Sequence, residues 1–178
     1  MEIELPGKEE HTVEESPLIL PVSVTISTLA VLIALVTMFG HRAATEQVLL
    51  QGKATDQWAY YQAKDIRLNA SEGFAEVFND ATSGDKEKLA AAHEKWAKKA
   101  EKYDKDREEI SNEAKKLEAE RDVFGKREDR FDAGEALLEI GLVICSMTLL
   151  TKRKLFWFSG MAIGAVGLLI ATTAFLVH

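Results

Sequence analysis

The chain reads as an all-α membrane protein in which three transmembrane helices carry a long antiparallel, coiled-coil-like helical hairpin between the first and second spans. Three observations predict this. Residues 18–39 and 155–177 contain no Asp, Glu, Lys or Arg, and each exceeds the roughly 20 residues that a helix needs to cross about 30 Å of hydrocarbon. Leu89, Trp96, Tyr103, Ile110, Leu117, Phe124, Phe131 and Leu138 stand seven residues apart without a miss. That spacing keeps a large apolar side chain on one seam of a slightly underwound helix, and the seam wants a partner along its length. Its last member lies inside a third apolar block, residues 132–151, interrupted by Glu135 and Glu139.

The elements follow in order. Residues 1–17 form an acidic tail in which Glu2, Glu4, Glu9, Glu10, Glu14 and Glu15 face only Lys8, and this tail carries most of the net charge of -7. Such a balance offers no basic surface to nucleic acid. The first span, residues 18–39, is punctuated at its start by Pro17 and Pro21, where a missing N–H is tolerated because first-turn donors have no intrahelical partner. A cleaved signal peptide is not expected, since the leading segment is acidic where a basic region is required and Met38-Phe39-Gly40 is a poor cleavage site.

Residues 40–131 are read as the extramembrane hairpin. Gln47, Gln51, Ala54, Trp58, Tyr61 and Leu68 fall near one another on a helical face of its first arm. This pattern is weaker than that of the second arm, so a kink or packing between subunits is allowed for. Turn formers cluster at residues 79–85, the expected tip, where Ser83 or Asp85 can cap the returning helix. Residues 85–130 carry equal numbers of acidic and basic side chains, as a solvated coiled-coil face does, and as one helix they would extend about 70 Å. Ala100 and Ala114 occupy the second seam, which Arg107 and Arg121 interrupt.

The second span (residues 132–151) and third span (residues 155–177) are joined by the basic loop Lys152-Arg153-Lys154. Under the positive-inside tendency this loop and the acidic tail are expected in the cytoplasm and the hairpin in the periplasm of a bacterial inner-membrane protein. Gly160, Gly164, Gly167 and Ala171 form a small-residue ridge for close helix packing in lipid. Phe156-Trp157-Phe158 beside the basic loop suits an interfacial aromatic belt.

Glu139 would lie about 10 Å inside the bilayer, where an ionised carboxylate is costly unless it is paired, protonated or wetted. Glu135 is one turn nearer the surface, and His41 and Arg42 leave the first span at the same membrane face. These four residues are a candidate intramembrane polar cluster, either a structural clasp or the mouth of an ion path. The bland alternative leaves both glutamates at the interface. His93-Glu94-Lys95-Trp96-Ala97 lacks the second histidine of a zinc-protease helix, and Cys145 is the only cysteine. No catalytic residue, cofactor site or metal site is expected, and an enzyme is the least favoured class.

Gly40-His41-Arg42-Ala43, the segment Asp56-Gln57-Trp58-Ala59-Tyr60-Tyr61-Gln62-Ala63-Lys64 and the terminal span pair with its basic loop together resemble a bacterial family of uncharacterised membrane proteins, domain of unknown function 4337. The resemblance covers nearly the whole chain and implies a bacterial membrane location, with no activity or ligand to carry over. The functional expectation is a membrane scaffold or assembly protein in contact with membrane lipid, acting as a homo-oligomer or as an accessory subunit of a larger complex. The competing expectation is an oligomeric channel or transport component whose path is lined by Glu139 and hydroxyls such as Ser23, Thr25, Ser27, Thr28 and Thr37.

Overall fold

A computed structural model describes residues 18–177; the acidic tail lies outside the described residues. Helix α1 runs Ile19–Asp80, α2 Lys86–Thr151 and α3 Lys154–Thr173, followed by a single 3-10 turn, η1, at Ala174–Leu176. All three α-helices contain a stretch long and apolar enough to cross a membrane, and the protein is a multi-pass membrane protein. α1 continues as one α-helix through residues 40–78. The turn-forming Asn79 and Asp80 close α1, which shortens the tip to residues 81–85. There Gly84 takes φ 125, a region that a residue with a Cβ enters only under strain. Asp85 caps α2, its Oδ1 accepting the Glu87 N–H at 3.1 Å.

Lys154 opens α3, so the loop between α2 and α3 is only Lys152-Arg153. Lys152 adopts φ 53, and its N–H donates to the Thr148 carbonyl at 2.8 Å. This is the left-handed stop that usually calls for glycine.

The described residues form two compact units, residues 18–37 with Asp132–Thr172, and Met38–Phe131 with residues 173–177. In the first unit, α1 buries Val22, Leu29 and Val36 at seven-residue intervals, and α2 buries Gly134, Leu138, Gly141, Cys145 and Thr148. α3 buries Gly160, Gly164, Gly167 and Ala171. α2 and α3 meet backbone to backbone. A Cβ added at Gly141 would stand 2.8 Å from the Gly160 carbonyl oxygen and 2.9 Å from Gly164 N, and one at Gly134 would stand 2.8 Å from the Gly167 carbonyl oxygen. Leu29 of α1 lies against Gly164, where an added Cβ would meet its Cδ2 at 2.9 Å. In lipid no hydrophobic force draws helices together, so this closeness is itself the source of cohesion through dispersion contacts.

In the second unit, the non-exposed residues of α1 include 43, 47, 50, 54, 57, 61, 64, 68, 71, 75 and 78, which alternate in steps of four and three, with 39, 40, 44, 58 and 65 flanking them. α2 shows the same alternation from Leu89 to Phe131, and none of the eight heptad residues found in the sequence is exposed. Partners run in opposite numerical order: Phe74 meets Trp96, Lys64 meets Asp106, Trp58 meets Glu118, and Gln51 meets Arg121. Arg107 and Arg121, which break the apolar seam of α2, reach across to Asp65 at 2.7 Å and to Gln51 at 2.6 Å. Ala100 and Ala114, which alternate with them along the seam, are buried, leaving room for the arginine stems to lie along it.

Candidate functional site

The expected polar cluster divides between the two units. Glu135 and Glu139 belong to the first, His41 and Arg42 to the second. Both glutamates lie in the part of α2 that is otherwise apolar, residues 133–151. Glu135 is half-buried and accepts a hydrogen bond from the Thr37 hydroxyl at 2.7 Å, tying α2 to α1 inside the first unit. The Thr37 hydroxyl also lies 2.9 Å from the Ile33 carbonyl. Glu139 is exposed, on the same outward face as Ile140, Val143, Met147 and Leu150. Two glutamates one turn apart therefore have opposite environments, one joined to a neighbouring helix and the other turned out of its unit.

The hydroxyl residues of α1 divide in the same way. Thr25 is taken up internally, donating to the Pro21 carbonyl at 2.9 Å and accepting the Trp157 indole N–H at 3.1 Å. Ser23, Ser27 and Thr28 line a shallow outward groove. Trp157 therefore joins α3 to α1, whereas Phe158 is exposed. Cys145 is buried against Gly160, and its thiol lies 3.6 Å from the Trp157 carbonyl.

His41 and Arg42 are both exposed. Arg42 borders a cavity of about 550 Å³ whose lining also includes Glu46, Arg127, Phe124 and a group of three further phenylalanines, Phe39, Phe131 and Phe175. Their rings form a closed triad with centroids 5.5 to 6.0 Å apart, one pair stacked and two edge-to-face, within the range aromatic pairs favour. The guanidinium of Arg127 is held from two sides, by the Val177 carbonyl at 2.9 Å and by the Phe124 ring 5.2 Å away.

A second polar arrangement in this unit escaped the sequence reading. Lys64 occupies a seam position of α1 and is 9% exposed. Its ammonium donates to Asp106 Oδ2 at 2.6 Å and lies over the rings of Tyr60 and Tyr103, 5.3 and 5.4 Å from their centroids. The hydrogen bond to Asp106 holds Lys64 above the usual lysine range although burial opposes it, and the same bond holds Asp106 below the usual carboxylate range. Next to it Arg107 bridges Asp65 and Asp104 and lies over Tyr61 at 5.8 Å. Its hydrogen bond to Asp65 raises it further. The signal that pointed here was the aromatic run ending at Lys64. A lysine at a seam position of a helix can be recognised as buried only when its partner carboxylate is known.

Among the described residues, no group of three or more His, Cys, Asp or Glu side chains is placed to hold a metal ion. The family described as Domain of unknown function (DUF4337) matches residues 19–177. No curated protein and no solved structure gives a significant match.

Proposed function

The chain belongs to the DUF4337 family, a domain of unknown function found in bacterial proteins, and from that premise we propose that it is an inner-membrane scaffold or assembly protein and not an enzyme. In this reading it works as a homo-oligomer or as an accessory subunit of a membrane complex, and its second unit is an antiparallel, coiled-coil-like hairpin. The observation that carries the reading is the outward placement of Glu139 on an apolar span. An ionisable side chain within a transmembrane segment almost always faces a protein interior or a wet cavity. Here the inward faces of α2 are already closed by the glycine contacts and by Glu135, so another chain is needed to cover Glu139. Support for the hairpin comes from the opposite numerical order of the partner pairs and the four-three alternation on both helices.

The basic Lys152-Arg153 turn supports a cytoplasmic position for that end of α2 and α3, with the hairpin in the periplasm. Reporter fusions at Gly84 and His178 test this, and a cytoplasmic signal at both would overturn it.

Oligomerisation is tested by Val143→Cys, one turn from Glu139 on the exposed face. Oxidation in native membranes is expected to give a disulfide-linked species of twice the chain mass. The parent, whose only cysteine is buried, should give none. Absence of cross-linking at Val143, Ile140 and Met147 alike, together with a single-chain mass in mild detergent and no co-purifying partner, would defeat the proposal. The channel reading separates from the scaffold reading at Glu139→Gln, which should leave scaffold assembly intact but abolish any ion or proton flux into liposomes that the parent supports.

A further inference from the structure

The cavity bordered by Arg42 and Arg127 combines three features that point to one class of ligand. Its floor is aromatic: Phe39, Phe131 and Phe175 interlock, yet Phe175 remains 57% exposed, so the triad is open on one side. Its rim is charged, with two guanidinium groups against the single carboxylate of Glu46. Of the other arginines in this unit, Arg107 is spent on Asp65 and Asp104 and Arg121 on Asp122, while Arg130 donates to the Thr173 hydroxyl. Among the described residues Arg127 instead donates to a backbone carbonyl, and Arg42 has no hydrogen-bond or ion-pair partner. The rim therefore carries one uncompensated positive charge.

The third feature is position. Phe39 lies near the end of the first uncharged stretch of the sequence, Phe131 directly precedes the second apolar block, and Phe175 lies near the end of the third. In sequence, each of the three phenylalanines thus stands near an end of an apolar stretch, and the ends of transmembrane stretches are where lipid headgroups are met. Guanidinium groups bind phosphate through paired, charge-assisted hydrogen bonds, and the phosphodiester of a glycerophospholipid offers that group in either leaflet.

We propose that this cavity seats one glycerophospholipid per chain, its phosphodiester between Arg42 and Arg127 and the first part of an acyl chain on the phenylalanine triad. A single phosphodiester carries the one negative charge that the rim lacks. Arg127 is already oriented by Val177 and Phe124, so binding has only the exposed Arg42 side chain to order. The site does not depend on the scaffold reading, because it lies within one chain.

The test is native mass spectrometry of the delipidated full-length protein in mild detergent, titrated with phosphatidylglycerol. One retained lipid per chain is expected. Arg42→Ala and Arg127→Gln should each weaken binding about tenfold or more, Phe175→Ala should weaken it as well, and Lys53→Ala on the same helix should not. Arg42 is exposed, so its replacement leaves folding intact, which the melting curve verifies. Binding insensitive to both arginine variants would overturn the proposal, as would equal binding of diacylglycerol with the same chains, which lacks the phosphate. Displacement of the lipid by millimolar inorganic phosphate would also overturn it, by showing a free-anion site.

Discussion

Gly141→Ala and Gly52→Ala make the same chemical change in the interiors of two helices, and the structure predicts opposite signs for them. At Gly52 nothing lies within 4 Å of an added Cβ, so the methyl group only restricts the unfolded backbone and should stabilise by about 0.5–1 kcal/mol. At Gly141 the Cβ would stand 2.8 Å from the Gly160 carbonyl oxygen, 2.9 Å from Gly164 N and 3.1 Å from Gly164 Cα. All three are backbone atoms, and none can rotate away. Restoring ordinary contact requires α3 to recede by about 0.6 Å, which loosens the whole Gly134–Gly167 and Gly141–Gly160 contact. Overpacking of this kind costs about 1–3 kcal/mol, enough to outweigh the gain in helix propensity. The assay is reversible unfolding in mixed micelles of mild detergent and dodecyl sulfate, followed by circular dichroism and tryptophan emission. Trp157 reports on the first unit because its indole is bonded to Thr25. Gly141→Ala should unfold at lower dodecyl sulfate than the parent. If it proves as stable as Gly52→Ala, the backbone contact is not what holds α2 to α3.

Two further predictions concern the seams. Asp106, depressed by its bond to Lys64, contributes stability present above its unfolded value and lost as pH falls through the lower folded value; Lys64, raised by the same bond, contributes stability present below its unfolded value and lost as pH rises through the higher folded one. The parent should therefore melt above Asp106→Asn between about pH 4 and pH 10 and lose that advantage progressively as the pH falls below this window; an unchanged gap in strong acid would refute the pairing. Leu138, fully buried at the last heptad position, should lose about 2–5 kcal/mol on replacement by Ala, measured in the same micelle titration. A loss below about 0.5 kcal/mol would place its side chain in lipid instead.

What the amino-acid sequence determined by itself was the membrane character and the regular seam of α2. Uncharged stretches of more than 20 residues and large apolar side chains every seven residues are properties of composition and spacing, and they need no partner to be recognised. The small ridge of α3 was legible for the same reason, since Gly160, Gly164, Gly167 and Ala171 repeat along one helix. The matching seam of α1 was legible only in part, through Gln47, Ala54, Trp58, Tyr61 and Leu68, because the rest of it is built from residues such as Ala43, Lys64, Ser71 and Ala75. Small and polar residues acquire a seam role only from what stands opposite, here bulky side chains and carboxylates of α2. Gly134 and Gly141 carry no signal in sequence on the same ground, since a glycine shows where a helix can approach only once the other helix is in place. Tertiary structure also decided the separate surroundings of Glu135 and Glu139. One helical turn apart in sequence, they differ by a rotation about α2 that sets one against Thr37 and leaves the other facing outward. The grouping of Arg42 and Arg127 over three phenylalanines likewise required three distant segments to converge, and no local spacing encodes such a convergence.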